Sequence, residues 1–168
     1  VVDSCVIFCR SLAQHSVTAN ALFKTGCVRC LVVLSKTYKE CRDVMDALLL
    51  CATNNSETRT FLSRVPNFYD RVTKSSSKHD NVLWTIVLSS SRSDLVEESK
   101  KRVRECVLSQ ILYDEDEDMK LFVSKRASSE RLLRHFVLHR HVLIEWPAYD
   151  WFCDCLCKID ADLRQVTT

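Results

Sequence analysis

Four groups of side chains could do chemistry. "CVRC" separates Cys27 and Cys30 by two residues, the spacing of dithiol redox sites and of zinc knuckles. His135 and His139 stand four apart in one apolar-periodic stretch, and Cys153 and Cys157 stand four apart in the next. Residues four apart share a helix face, so two antiparallel helices could bring two imidazoles and two thiolates to one tetrahedral zinc. "KKRVREC", from Lys100 to Cys106, is the densest basic run, with Lys100, Lys101 and Arg104 as candidates for binding phosphate. "YDEDEDM" sets five acids in a row from Asp114 to Asp118, either a patch for a basic partner or a solvated helix start, where negative charge is favoured.

Each group also has a plainer reading. A thioredoxin-type dithiol follows a strand in a βαβ context, and no such context surrounds Cys27 and Cys30. They are read as core. The histidine and cysteine pairs are read as partly exposed imidazoles beside buried thiols, with a zinc-stabilised helical domain as the alternative. His141 and Cys155 compete for the same roles. The basic run alternates with apolar residues and follows "EES", as a solvated helix face with Glu–Lys pairs would. A nucleic-acid-associated module remains its alternative, although 24 basic against 22 acidic residues leave little excess charge for a polyanion. No G-x-x-x-x-G-K, G-x-S-x-G or H-E-x-x-H motif occurs, and one glycine leaves little with which to cradle phosphates. The chain is therefore expected to be no enzyme, to need no cofactor and to take no small-molecule substrate.

The elements that must hold these residues are helices. One glycine and two prolines in 168 residues supply too few turn formers for a β-rich domain. A hydrophobic share of 46% provides for a sizeable core. The ten cysteines sit at interior helical positions and read as small buried apolar residues of a reduced, intracellular protein of cytoplasm or nucleus. "NNS" at Asn54 is a glycosylation sequon of a kind common by chance. No apolar run reaches the ~18 residues of a membrane span, and no membrane partner is expected. The apolar start "VVDSCVIFC" suggests a piece of a longer protein.

Apolar columns return at 38-residue steps: Val6, Val44 and Val82; Ile7, Met45 and Leu83; Leu12, Leu50 and Leu88. Small residues follow that leucine at Ala13, Cys51 and Ser89. Cys27, Val65 and Val103 match, as do Cys30, Phe68 and Cys106, and Leu31, Tyr69 and Val107. Phe23 matches Phe61, but Ser99 stands in the third copy. Val44, Ala47, Leu48 and Cys51 form an i, i+3, i+4, i+7 set. Each copy reads as a long, a short and a medium helix, with no insertion between copies. Pro66 is placed at a helix start, where its missing N–H costs nothing, and Gly26 holds the equivalent corner. One copy cannot cover its own apolar faces, whereas stacked copies can.

"LAQHSVTANALFKTGCVRCLVVL" resembles the corner of the armadillo repeat family: a small residue after leucine, a polar turn, then glycine before an apolar helix. The resemblance covers about Asp3 to Leu112, with HEAT-type helix pairs as the nearest alternative. It implies an all-α, right-handed α-solenoid of about three repeats, whose long helices line a concave face. It also implies a non-enzymatic protein–protein interaction scaffold or adaptor. One departure matters: the asparagine by which such repeats grip an extended peptide is replaced by Ser11, Leu49 and Val87. The expected partner is therefore another protein offering a helical segment, or a short extended one, to an apolar groove. Its contact residues would be Ile7, Phe8, Ser11, Met45, Asp46, Leu49, Trp84 and Val87, with Trp84 as the main anchor if exposed. Leu49, Leu83 and Val87 fit packing between repeats equally well.

After Leu112 the repeat fails, so residues 1–113 are assigned to the repeats and 114–168 to a helical cap on the same continuous domain. "DMKLFVSKR" reads as a short helical segment. Ser128 or Ser129 would cap a helix with Leu132, Phe136, His139 and Leu143 on one side, and Pro147 would start a last helix. That helix carries Trp151, Phe152, Cys155, Leu156 and Ile159 as apolar residues.

Overall fold

The scarcity of turn formers leaves its mark throughout. The computed structural model describes residues 1–37, 42–108, 134, 137, 138 and 140–166, and among these every regular element is helical, with no strand. The chain divides into two compact units, Val1–Ser77 and Lys78–Thr168. The boundary expected after residue 113 lies outside the described residues. So do the acidic run Asp114–Asp118, the cap at Ser128 or Ser129, and Leu132, His135, Phe136 and His139.

The first unit runs long, short, medium twice over: α1 Val2–Leu12, α2 Ser16–Lys24, α3 Cys27–Thr37, then α4 Arg42–Asn54, α5 Ser56–Arg64, α6 Phe68–Ser75. Two left-handed residues turn the chain into the medium helices, Gly26 at φ 83° and Asn67 at φ 57°. Glycine takes that conformation without a Cβ clash, and asparagine is among the few other residues that visit it routinely. Helix α4 packs against α1, α2, α3 and α5. Its Val44, Ala47, Leu48, Cys51 and Ala52 are all at most 1% exposed, so α4 is the centre of this unit's core.

The stretch "NNSETR" closes that centre with polar groups. Asn54 Nδ2 donates to the Ala13 carbonyl at 2.8 Å and so satisfies the end of α1 from the end of α4. Asn55 caps α5, its Oδ1 accepting from the Thr58 N–H at 2.7 Å, while its Nδ2 donates to Asn20 Oδ1 at 3.3 Å. Arg59 is buried and donates to the carbonyls of Ala52 and Thr53 at 3.0 and 3.1 Å. A cation at the negative end of α4 is favourable there.

The copies are not in strict 38-residue register. The caps of the short helices fall at His15, Asn55 and Arg92, so the second copy holds two extra residues before its short helix. Aligned on these caps, Val28 pairs with Phe68 and Val32 with Val72, and all four are at most 5% exposed. The columns pairing Cys30 with Phe68 and Leu31 with Tyr69 were two residues out. The column Val6, Val44, Val82 is buried in every copy, as is Ala13, Cys51, Ser89.

In the second unit, α7 spans Lys78–Ser89, and every residue from Val82 to Ser89 is buried. A 3-10 turn, Ser93–Leu95, leads into α8, Val96–Val103, which continues as a π-helical turn, Arg104–Leu108. No left-handed corner divides this copy's short and medium segments. After the undescribed stretch come α9, Arg140–Glu145, and α10, Tyr149–Val166. Ser99, the odd member of the phenylalanine column, has a role here: its hydroxyl accepts from Trp146 Nε1 at 2.9 Å, and both residues are buried. The Trp146 indole fills the interior beside Trp151 and Phe152, with ring centroids 6.2 and 6.0 Å away. Neither proline opens a helix. Each is the second residue of a turn closed by an N–H to carbonyl bond, Phe68 to Val65 and Tyr149 to Trp146, two residues ahead of the helix.

Candidate functional site

The expected contact residues fare differently on the three long helices. On α1, Ile7 is 52% and Phe8 63% exposed. Ser11 is exposed and its hydroxyl donates to the Ile7 carbonyl at 3.1 Å. On α4, Met45 and Asp46 are half-buried. The guanidinium of Arg10 spans from α1 to Asp43 at 3.1 Å and to Asp46 at 3.7 Å, so Asp46 is already paired. Leu49, Trp84 and Val87 are at most 6% exposed and offer no surface to a partner. The packing of four helices around α4 accounts for Leu49, and the fully buried run of α7 accounts for Trp84 and Val87. Trp84 is thus core, not the anchor.

What remains is one face of α1. Ser4, Ile7, Phe8 and Ser11 stand at i, i+3, i+4, i+7 and are all exposed. At the 38-residue step that keeps Val6 with Val44 and Ala13 with Cys51, their counterparts on α4 are Arg42, Met45, Asp46 and Leu49, of which Arg42 is exposed, Met45 and Asp46 are half-buried and Leu49 is buried. The outer face of α1 is thus the more open of the two, and only at Ser11 and Leu49 does an exposed residue match a buried one.

Sequence reasoning missed a second feature. A shallow notch of about 380 Å³ lies between α2 and α5, lined by Phe23, Ser56, Glu57, Thr60, Phe61 and Arg64. Phe23 and Phe61 meet edge to face with centroids 6.1 Å apart, and the Arg29 guanidinium lies 5.9 Å from the Phe61 ring. The matched phenylalanine column was the signal for it.

The basic run is largely engaged. Lys100 Nζ reaches Glu97 Oε1 at 2.7 Å and lies 5.9 Å from the Trp151 ring, with Arg104 5.5 Å from the same ring. Arg102 pairs with Glu98 at 2.8 Å. Lys101 is exposed.

The thiols depart from expectation in the first unit. Cys30 is exposed and Cys27 half-buried, because Val28, Leu31 and Val32 form the inner face of α3. Neither is core. Burial first, and then the nearby Cys9 and Cys27, together push the Cys51 thiol up to about 12. Cys9 is also raised, by burial first and then by Cys27, Cys5 and Cys30. Cysteines of α1, α3 and α4 therefore share one neighbourhood, and among the described residues no three of His, Cys, Asp or Glu are set to hold a metal ion. Of the alternative zinc set, His135 and His139 lie outside the described residues. Cys153 is half-buried and hydrogen-bonds Tyr149, whose phenol it raises, and Cys157 is exposed. Asn54 of the sequon spends its amide on Ala13. Among the described residues no single helix is long and apolar enough to cross a membrane.

Set against known proteins, the chain matches no family model, no curated protein and no solved structure.

Proposed function

We propose that the chain is a protein–protein interaction module of armadillo-like α-solenoid type, in which the outer face of α1 receives a helical segment of a partner. One observation carries this reading: Ile7 and Phe8 stand side by side on α1, 52% and 63% exposed. A helix with apolar residues on two sides has room for two neighbours, and α1 has only one side covered. An exposed phenylalanine flanked by isoleucine is the kind of anchor around which recognition patches form. The engagement of Lys100 and Arg104 with Trp151 and Glu97 favours packing over phosphate binding for the basic run. The many cysteines fit a reducing, intracellular compartment.

The test is site-specific crosslinking in cells. A photoreactive residue at Phe8 is expected to trap a discrete protein that the same group at Val17, exposed on α2, does not. Equal, diffuse products from both positions would end the reading.

A further inference from the structure

We infer that Cys27 and Cys30 form a reversible dithiol–disulfide couple that exchanges with small disulfides such as oxidised glutathione. The inference stands apart from the reading of α1 as a recognition surface. Neither thiol belongs to the core: Cys27 is half-buried, Cys30 is exposed, and both are free. Cys27 is the first residue of α3, so the pair occupies that helix's opening turn. Cα atoms three residues apart on a helix lie about 5 Å from each other, inside the range of about 4.4–6.8 Å that a disulfide spans. The sulfurs still have to close on each other, and a terminal turn can tighten to let them. Gly26, just before the pair, sits at φ 83° with no atom within 4 Å of the point where a Cβ would lie, so the corner has room to shift. The Thr25 hydroxyl meets Cys27 Sγ at 3.3 Å and holds that sulfur at the corner. Cys9 and Cys51 lie close by, but burial above all raises both, so at neutral pH they stay protonated and are poor attackers.

The exposed Cys30, as thiolate, attacks one sulfur of glutathione disulfide. A Cys30–glutathione bond forms as the glutathione S–S bond breaks, and one glutathione leaves and takes up a proton. Cys27 then loses its proton and attacks the Cys30 sulfur, and the second glutathione leaves with that proton. Two protein thiols are oxidised by two electrons, and one disulfide is reduced to two thiols. In a reducing compartment such a bond is transient and serves redox sensing or exchange rather than structure.

The full chain is equilibrated at neutral pH in a series of ratios of reduced to oxidised glutathione, quenched with acid, alkylated and digested with trypsin, which cuts after Arg29 between the two thiols. Mass spectrometry is expected to find peptides 25–29 and 30–36 joined by a disulfide at intermediate ratios. Reduced glutathione alone should return both free thiols. Cys27→Ser should trap glutathione on Cys30 as a lasting mixed disulfide, whereas Cys9→Ser should leave the joined peptides as they are in the parent. Circular dichroism of both variants checks that the helices persist, and the parent chain's own disulfide map decides the matter without them. Cys9 joined to Cys27 or Cys30 in place of the pair would overturn the inference. So would glutathione that stays on Cys30 of the parent without ring closure, or a pair that joins only after unfolding in urea. No joined peptides at any ratio would overturn it as well.

Discussion

Helices α1 and α4 each open a run of a long, a short and a medium helix, yet one is wrapped and the other half bare. On α4, Val44, Ala47, Leu48 and Cys51 are at most 1% exposed; on α1 only Val6 is buried, and Ser4, Ile7, Phe8 and Ser11 all face water. Both sequences carry apolar residues at helical spacing, so periodicity alone does not tell core from surface. The difference lies in what surrounds each helix and in the polar groups that hold it. Asn54, Asn55 and Arg59 tie the ends of α1, α4 and α5 to one another, and all three belong to the second copy. An open apolar strip on an otherwise well-tied unit is where a partner's helix would gain most from burial.

Breaking the ties on the α4 side should have the largest effect. Arg59→Ala strands the Ala52 and Thr53 carbonyls in the interior and is expected to cost about 1–3 kcal/mol, read by urea unfolding. Asn55→Ala removes the α5 cap and should cost about 1 kcal/mol, with faster amide exchange confined to the first turn of α5. Arg10→Ala, which loosens α1 from α4 through half-exposed charges only, should cost at most about 1 kcal/mol, and the loss should shrink in high salt. The thiols sharpen the same contrast at no cost in stability: iodoacetamide at neutral pH should modify exposed Cys5 on α1 and spare Cys51 on α4. The buried thiol also sets a pH dependence. Its value of about 12 lies above the ordinary 9.0, so the unfolded chain loses that proton first, and stability falls as pH rises from 9.0 towards 12. Cys51→Val should be less sensitive to pH over that window than the wild type.

Helix content was legible from one glycine and two prolines, and the buried column Val6, Val44, Val82 from spacing alone. The order of long, short and medium helices in the first unit was legible too. The two-residue slip before Asn55 was not, because a polar turn tolerates extra residues without changing the apolar pattern on either side. That slip misplaced Cys30 into a core column. The exposure of the recognition residues was also hidden: Trp84 and Phe8 occupy one column, but a residue's burial depends on its neighbours in space, which a single helix does not encode. Ser99 looked like a lapse in the phenylalanine column, since its partner Trp146 is distant in sequence. The notch between Phe23 and Phe61 was half visible, as matched rings without a known distance.

The central claim, that Ile7 and Phe8 of α1 lie open while α4 is enclosed, is tested most directly by a pair of alanine substitutions measured by urea unfolding with amide exchange on α4. Leu48→Ala should cost ~2–5 kcal/mol, and Phe8→Ala should stay within ~0.5 kcal/mol of the parent. A loss for Phe8→Ala as large as that for Leu48→Ala would contradict the account.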